Sequence, residues 1–138
     1  MFWYNKNNQD VVFMDNRSEH CTLCDGRTIE INPDVIADFT NIPFPDNTFS
    51  LVVFDPPHLI NAGKKSWLSK KYGTLPHDWR PYLKAGFEEC KRVLKPDGVL
   101  VFKWSEDQIK TVEVLKAIGE NPLFGDRRSK TRWMIFMK

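Results

Sequence analysis

Cysteine, glycine and uninterrupted apolar sequence are all scarce in this chain, and each scarcity argues against a class of protein. Three cysteines in 138 residues, an odd number at low density, do not make a disulfide framework and suit a reducing compartment. Cys21-Thr22-Leu23-Cys24, with His20 beside it, has metal-ligand spacing. Zinc takes four ligands, however, and the remaining cysteine, Cys90, is far along the chain with no second pair near it. The stretch therefore reads as a loop closed by the Asp25-Gly26 turn, and no metal is expected. No run approaches the roughly 18 apolar residues of a membrane helix. Met1-Phe2-Trp3-Tyr4-Asn5-Lys6 lacks the basic-then-apolar layout of a signal peptide. A cytoplasmic protein with no membrane partner is expected. The seven glycines include no Gly-x-Gly pair, so there is no glycine-rich turn through which backbone could approach a cofactor. Internal repeats and low-complexity segments are absent as well.

What is present is enough apolar surface, 41% hydrophobic with 13% aromatic residues, for one core in a single domain spanning residues 1–138. The net charge of +2 hides a division. Residues 1–62 carry three basic and nine acidic side chains, whereas residues 63–138 carry seventeen basic and nine acidic ones. Two clusters stand out in the basic half: Lys64, Lys65, Lys70 and Lys71, then Arg127, Arg128, Lys130 and Arg132. Such clusters can neutralise the phosphates of a nucleic acid; solvated loops carry lysines just as readily.

Apolar runs closed by an acid occur at Val11–Asp15 and Val35–Asp38, and Thr28–Ile31 alternates like a half-buried strand. The prolines of Ile42-Pro43-Phe44-Pro45-Asp46-Asn47 fix the backbone and remove donors, so this is a turn. It feeds a nearly continuous apolar strand, Phe49–Phe54, of the kind buried on both faces of a parallel sheet. Residues 59–80 read as a long loop without periodicity. Tyr82, Phe87, Cys90, Val93 and Leu94 then share a helix face that ends before Lys95-Pro96-Asp97-Gly98. A buried strand follows at Val99–Phe102. A helix from Glu106 carries Ile109, Val112, Leu115, Ala117 and Ile118 up to Gly119, and a last strand covers Trp133–Met137. Alternating strands and helices from residue 50 onward argue for an α/β sheet with helix crossovers.

In such sheets ligands bind beyond the carboxyl ends of the strands, so the acids that close the apolar runs, Asp15, Asp38 and Asp55, draw notice together. Two prolines directly after the Phe49–Phe54 strand make a rigid loop whose carbonyls the sheet cannot all satisfy. Asp55 with those carbonyls is an acceptor pair for an NH2 group.

Asp55-Pro56-Pro57-His58 resembles the Asp-Pro-Pro-aromatic loop of S-adenosylmethionine-dependent methyltransferases that act on the exocyclic amino group of adenine in DNA and RNA. The first three residues match that motif, and His58 stands where Tyr, Phe or Trp is usual. Arg92-Val93-Leu94-Lys95-Pro96-Asp97-Gly98-Val99-Leu100-Val101 is similar to the helix-turn-strand segment of the same enzymes. Tyr72-Gly73-Thr74-Leu75 is similar to the family that methylates adenosine in eukaryotic messenger RNA. The likeness covers roughly residues 35–104.

The resemblance implies an α/β fold: a single Rossmann-like methyltransferase domain with a mostly parallel sheet, helices on both faces and an abbreviated N-terminal half. It implies S-adenosyl-L-methionine as cofactor, read by Asp38 with Phe39 at the adenine, by Asp15 at the ribose, and by Asp55. It further implies that Asp55 and a proline carbonyl of Pro56 or Pro57 accept the amino hydrogens while His58 stacks on the base. With no glycine-rich turn, permutation, abbreviation, or completion of the cofactor site by a second copy or partner subunit all remain open. His58 reads equally as a surface histidine; Trp67, Trp79 and Trp104 read as core or loop packing more readily than as platforms for bases; and Lys103, just beyond the Val99–Phe102 strand, could face the site, with a solvated lysine as the default. Two rival functions stand beside adenine methylation: methyl transfer to a protein amide or small molecule, and a non-catalytic nucleic-acid-binding or accessory subunit.

Overall fold

Short alternating runs with no helical stretch between them can make only small sheets, and residues 3–36 do this. The computed structural model describes residues 3–22, 26–63, 66–126 and 129–138. Its contacts divide the chain into two units, Met1–Asp38 and Phe39–Lys138.

In the first unit β1 (Met14–Asp15) pairs in parallel with β4 (Val35–Ile36), with Met14 opposite Val35 and Asp15 opposite Ile36. A parallel pair requires a crossover of a dozen or more residues. Here β2 (Glu19–Thr22) and β3 (Thr28–Ile31) fill it as an antiparallel pair rather than a helix. Asp34 fastens the parallel pair: its Oδ2 accepts from the Phe13 amide at 2.8 Å, and its own amide donates to the Phe13 carbonyl at 2.9 Å.

The second unit contains β5 (Phe49–Phe54), α1 (Trp67–Tyr72), α2 (Trp79–Val93), β6 (Leu94–Ser105), α3 (Thr111–Ile118), β7 (Phe124–Asp126) and β8 (Thr131–Met137). Its sheet runs β5-β6-β8-β7. Helix α2 is long enough to serve as a crossover, so β5 and β6 are parallel, with Phe54 opposite Phe102. Lys95-Pro96-Asp97-Gly98 bulges within β6, since Phe49 faces Leu94 while Leu51 already faces Val99. Asp97 takes a left-handed φ of 62° there, which Asp tolerates better than most residues. The Pro43–Asn47 turn is fastened to α2 by Arg92, which donates to the carbonyls of Ile42 and Phe44 at 2.9 Å each and to the carboxylates of Glu89 and Asp46.

The core of this unit is aromatic. Phe54, Phe87, Phe102, Trp104 and Phe136 are all buried. Phe87 meets Phe136 edge-on at 5.0 Å, and Phe102 touches Phe54 at 5.1 Å. Such rings supply most of the burial and prefer tilted or edge-on contact. Leu83, Cys90 and Val93 complete the inner face of α2, and Val114 and Ile118 are buried on α3.

The expected Rossmann-like fold with a mostly parallel sheet and helices on both faces is overturned. The eight strands among the described residues fall into three small sheets, and only β1–β4 and β5–β6 pair in parallel; β2–β3, β6–β8 and β7–β8 are antiparallel. The three described helices all belong to the second unit. The physical cause is connection length. Four residues separate β7 from β8, too few for a crossover, so β8 returns as a hairpin partner and enters antiparallel between β6 and β7. The three residues of β7, all exposed, carry no periodic signal that would reveal this from sequence.

Strand β5 is likewise not central: it ends the sheet order, and Leu51 is 54% exposed. The segment 59–80 is not structureless, because it contains α1 and the start of α2. The helix expected from Glu106 begins at Thr111, whose amide donates to the Glu106 carboxylate at 2.9 Å. Among the described residues no helix is long and apolar enough to cross a membrane.

Candidate functional site

Parallel pairing of β5 with β6 sets the geometry. Because Phe54, the last residue of β5, faces Phe102 of β6, the next residues on the two segments, Asp55 just past β5 and Lys103 still within β6, stand side by side at the carboxyl end of the pairing. Lys103 Nζ donates to both Asp55 carboxylate oxygens, at 2.8 and 3.0 Å. Asp55 stays 39% exposed while Lys103 is more covered. The contact leaves acceptor capacity on both oxygens, since an ionised carboxylate offers about four lone-pair positions. Lys103, for which the sequence left a site-facing place open beside the default of a solvated lysine, is thus part of this cluster. The available signal was its place two residues before the end of a strand parallel to β5.

The loop after Asp55 is held firmly. Pro56 and Leu59 are buried. The Leu59 carbonyl accepts from the Leu75 amide at 2.8 Å. Gln108 grips the next two residues, its Oε1 accepting from the amides of Ile60 and Asn61 at 2.7 and 2.9 Å while its Nε2 donates to the Asn61 carbonyl at 3.0 Å. Gln108 carries no sequence signal for this role.

His58 is packed rather than solvent-facing, with its side chain 12% exposed. Its ring lies 5.3 Å from Tyr72 and 6.5 Å, edge-on, from Trp104. Nε2 is 3.9 Å from an Asp107 oxygen that also accepts from Ser105 Oγ at 3.0 Å. Burial lowers the His58 pKa below the ordinary 6.5, against the opposing pull of Asp107 and Asp55, and Lys103 adds to the lowering. In the fold, therefore, the neutral ring is favoured. The unfolded chain takes up this proton at higher pH than the folded one, so the contribution of His58 to stability is present above pH 6.5 and is lost as pH falls through the folded pKa. Thermal unfolding followed from acid to neutral pH should show stability rising toward pH 6.5, with a shallower rise in His58→Phe. Equal slopes would remove His58 as the titrating group.

The proposed cofactor residues are placed differently. Asp15 ends β1, and its carboxylate accepts from Arg17 Nε at 3.0 Å, Arg17 Nη2 at 3.1 Å and the Arg17 amide at 3.0 Å. Asp38 follows β4, the parallel neighbour of β1, and is half-buried. Both acids thus stand at the carboxyl ends of adjacent parallel strands in the first unit. Phe39 belongs to the second unit and packs into its core, 4.7 Å from Tyr82 and 5.3 Å from Phe54, so its ring is spent on packing.

S-adenosylmethionine, which the motif implies, presents ribose hydroxyls and an adenine amino group as donors. Asp15 and Asp38 fit that nucleoside end, and Asp15 Oδ2 takes only one of the Arg17 contacts named above. Nothing in the glycine pattern fits the methionine end.

Of the metal-like pair, Cys21 lies on β2, and Cys24 lies outside the described residues. No group of three potential ligands occurs among the described residues. Burial pushes the Cys90 thiol far up, which makes it unreactive. Lys64, Lys65, Arg127 and Arg128 also lie outside the described residues. Trp79 and Trp104 are buried as packing residues, and Trp104 Nε1 donates to the Ile109 carbonyl at 3.0 Å. Trp67 is exposed. No protein-family model matches the chain, and no similar curated protein was found.

Proposed function

We propose that the chain is an S-adenosylmethionine-dependent methyltransferase acting on the exocyclic amino group of adenine in a nucleic acid. The observation that carries this reading is the Asp55 carboxylate at the carboxyl end of β5, held by Lys103 on one side and followed by Pro56, Pro57 and a packed His58. Asp55 accepts one amino hydrogen and the Pro56 carbonyl the other, which orients the nitrogen lone pair. Lys103 fixes the carboxylate in direction, and the neutral His58 ring covers the base. Within the first unit, Asp15 and Asp38 have the acceptor chemistry for the nucleoside end of the cofactor, which would supply an electrophilic methyl when bound.

A non-catalytic nucleic-acid-binding role is the second reading, favoured by the absence of a Gly-x-Gly turn and by the packing of Phe39 in the core. Labelled cofactor incubated with DNA, RNA and protein substrates separates the two. Transfer to adenine-containing strands supports the first, whereas binding of nucleic acid without transfer, and without thermal stabilisation by S-adenosylhomocysteine, supports the second. Asp38→Ala should weaken S-adenosylhomocysteine binding by roughly 10- to 100-fold, the loss of a hydrogen bond to a charged acceptor, with nucleic-acid affinity unchanged. Calorimetric titration decides it, and an unchanged dissociation constant would return Asp38 to a structural role.

A further inference from the structure

We propose that α1 forms a stacking surface for an unpaired nucleic-acid strand beside the loop that carries His58, with nucleotides next to the target base lying on Trp67 and Tyr72 and their phosphates near Lys70 and Lys71. The inference rests on the function proposed above, because it supplies the flanks of the same target.

Helix α1 has no buried residue. Six residues are far too few for a helix to persist in water unaided, and this one is held by polar caps. Ser66 Oγ accepts from the Ser69 amide at 3.2 Å, Ser69 Oγ donates to the Gly63 carbonyl at 2.7 Å, and the Gly73 amide donates to the Ser69 carbonyl at 2.9 Å. Its apolar side chains are therefore not needed in the core. Trp67, Leu68 and Tyr72 remain 39, 40 and 36% exposed. A single exposed apolar residue is ordinary, but three large ones on one short helix form a patch.

The patch is continuous with the catalytic loop. Trp67 lies 6.4 Å from Tyr72, and Tyr72 lies 5.3 Å from His58, centre to centre. Lys71 Nζ sits 5.2 Å from the Trp67 ring and 5.1 Å from the Tyr72 ring. An ammonium set between two exposed rings is unsuited to an apolar protein segment. It suits a ligand that alternates flat faces with negative charge, namely a strand of unstacked bases and phosphates. The basic half of the sequence adds attraction of the same sign.

Wild type, Trp67→Ala, Trp67→Phe and Lys71→Gln are titrated by fluorescence anisotropy with single-stranded DNA and RNA, each with and without adenine, and with duplex DNA. Circular dichroism checks each variant's fold. Trp67→Ala should weaken single-strand binding roughly 5- to 100-fold with or without adenine, as loss of one base stack does, and duplex binding much less. Trp67→Phe should keep most of the affinity, and Lys71→Gln should flatten the single-strand salt slope by about 0.7. Unchanged single-strand affinity in folded Trp67→Ala, an equal loss on duplex, or no single-strand binding by wild type would overturn the surface. Methyl transfer assayed on the same proteins keeps the two claims apart. Loss of strand binding in Trp67→Ala with no transfer by wild type supports the surface and removes the catalytic reading. Transfer with unchanged strand affinity does the reverse.

Discussion

Asp55→Ala is expected to lower methyl transfer to an adenine-containing oligonucleotide by about 10²- to 10⁴-fold while the protein remains folded. In the proposed function the carboxylate accepts a hydrogen from the nitrogen that becomes the nucleophile, so its removal would cost most where charge develops. The structural cost is small by comparison. Asp55 is 39% exposed, and a partly exposed ion pair such as its contact with Lys103 is worth about 0–1 kcal/mol. Asp55→Asn offers a sharper comparison. It keeps the shape but removes the negative charge and turns one acceptor into a donor facing the Lys103 ammonium, so activity should fall nearly as far. Transfer rates and thermal unfolding on the same preparations check this. A folded Asp55→Ala protein with wild-type activity would end the catalytic assignment.

Gly86→Ala is expected to be the more damaging change to the fold. A Cβ at Gly86 would lie 2.2 Å from Phe39 Cδ2, 2.6 Å from Phe39 Cε2 and 3.2 Å from Phe54 Cζ. The Phe39 ring cannot easily yield, because Tyr82 and Phe54 press on it. Overpacking of this kind costs about 1–3 kcal/mol and sometimes more. It bears on function because Phe54 immediately precedes Asp55, so a shifted Phe39 ring disturbs the strand that presents the carboxylate. In urea unfolding, Gly86→Ala should lose stability, and the double variant with Phe39→Leu should recover part of the loss by vacating the space. If the two losses simply add, Phe39 and Gly86 are not in contact as described. Phe39→Ala alone should lower stability by about 3–5 kcal/mol if the site cannot collapse. Its affinity for S-adenosylhomocysteine should not change, which distinguishes a packing ring from a cofactor contact.

Local events were readable from sequence where a few adjacent residues decide them. Proline and asparagine chemistry marked the 42–47 turn, apolar continuity marked Phe49–Phe54, and the spacing of Phe87, Cys90 and Val93 marked the inner face of α2. The loop Asp55-Pro56-Pro57 was readable because two prolines must stop a strand wherever they occur. Strand pairing was not readable, since it depends on which distant segments meet. Three exposed residues at Phe124–Asp126 turned the last strand antiparallel, and the hairpin of β2 and β3 took the place of a crossover helix. The site divides in the same way. Asp55 and His58 announced themselves by motif, while Lys103, Gln108 and Asp107 acquired their positions only through the β5–β6 register and the turn that follows β6. A single chain position records the chemistry of a side chain. Which carboxylate an ammonium reaches, 48 residues away in the case of Lys103 and Asp55, is decided by the packing that sets the end of β5 beside Phe102 of the parallel strand β6.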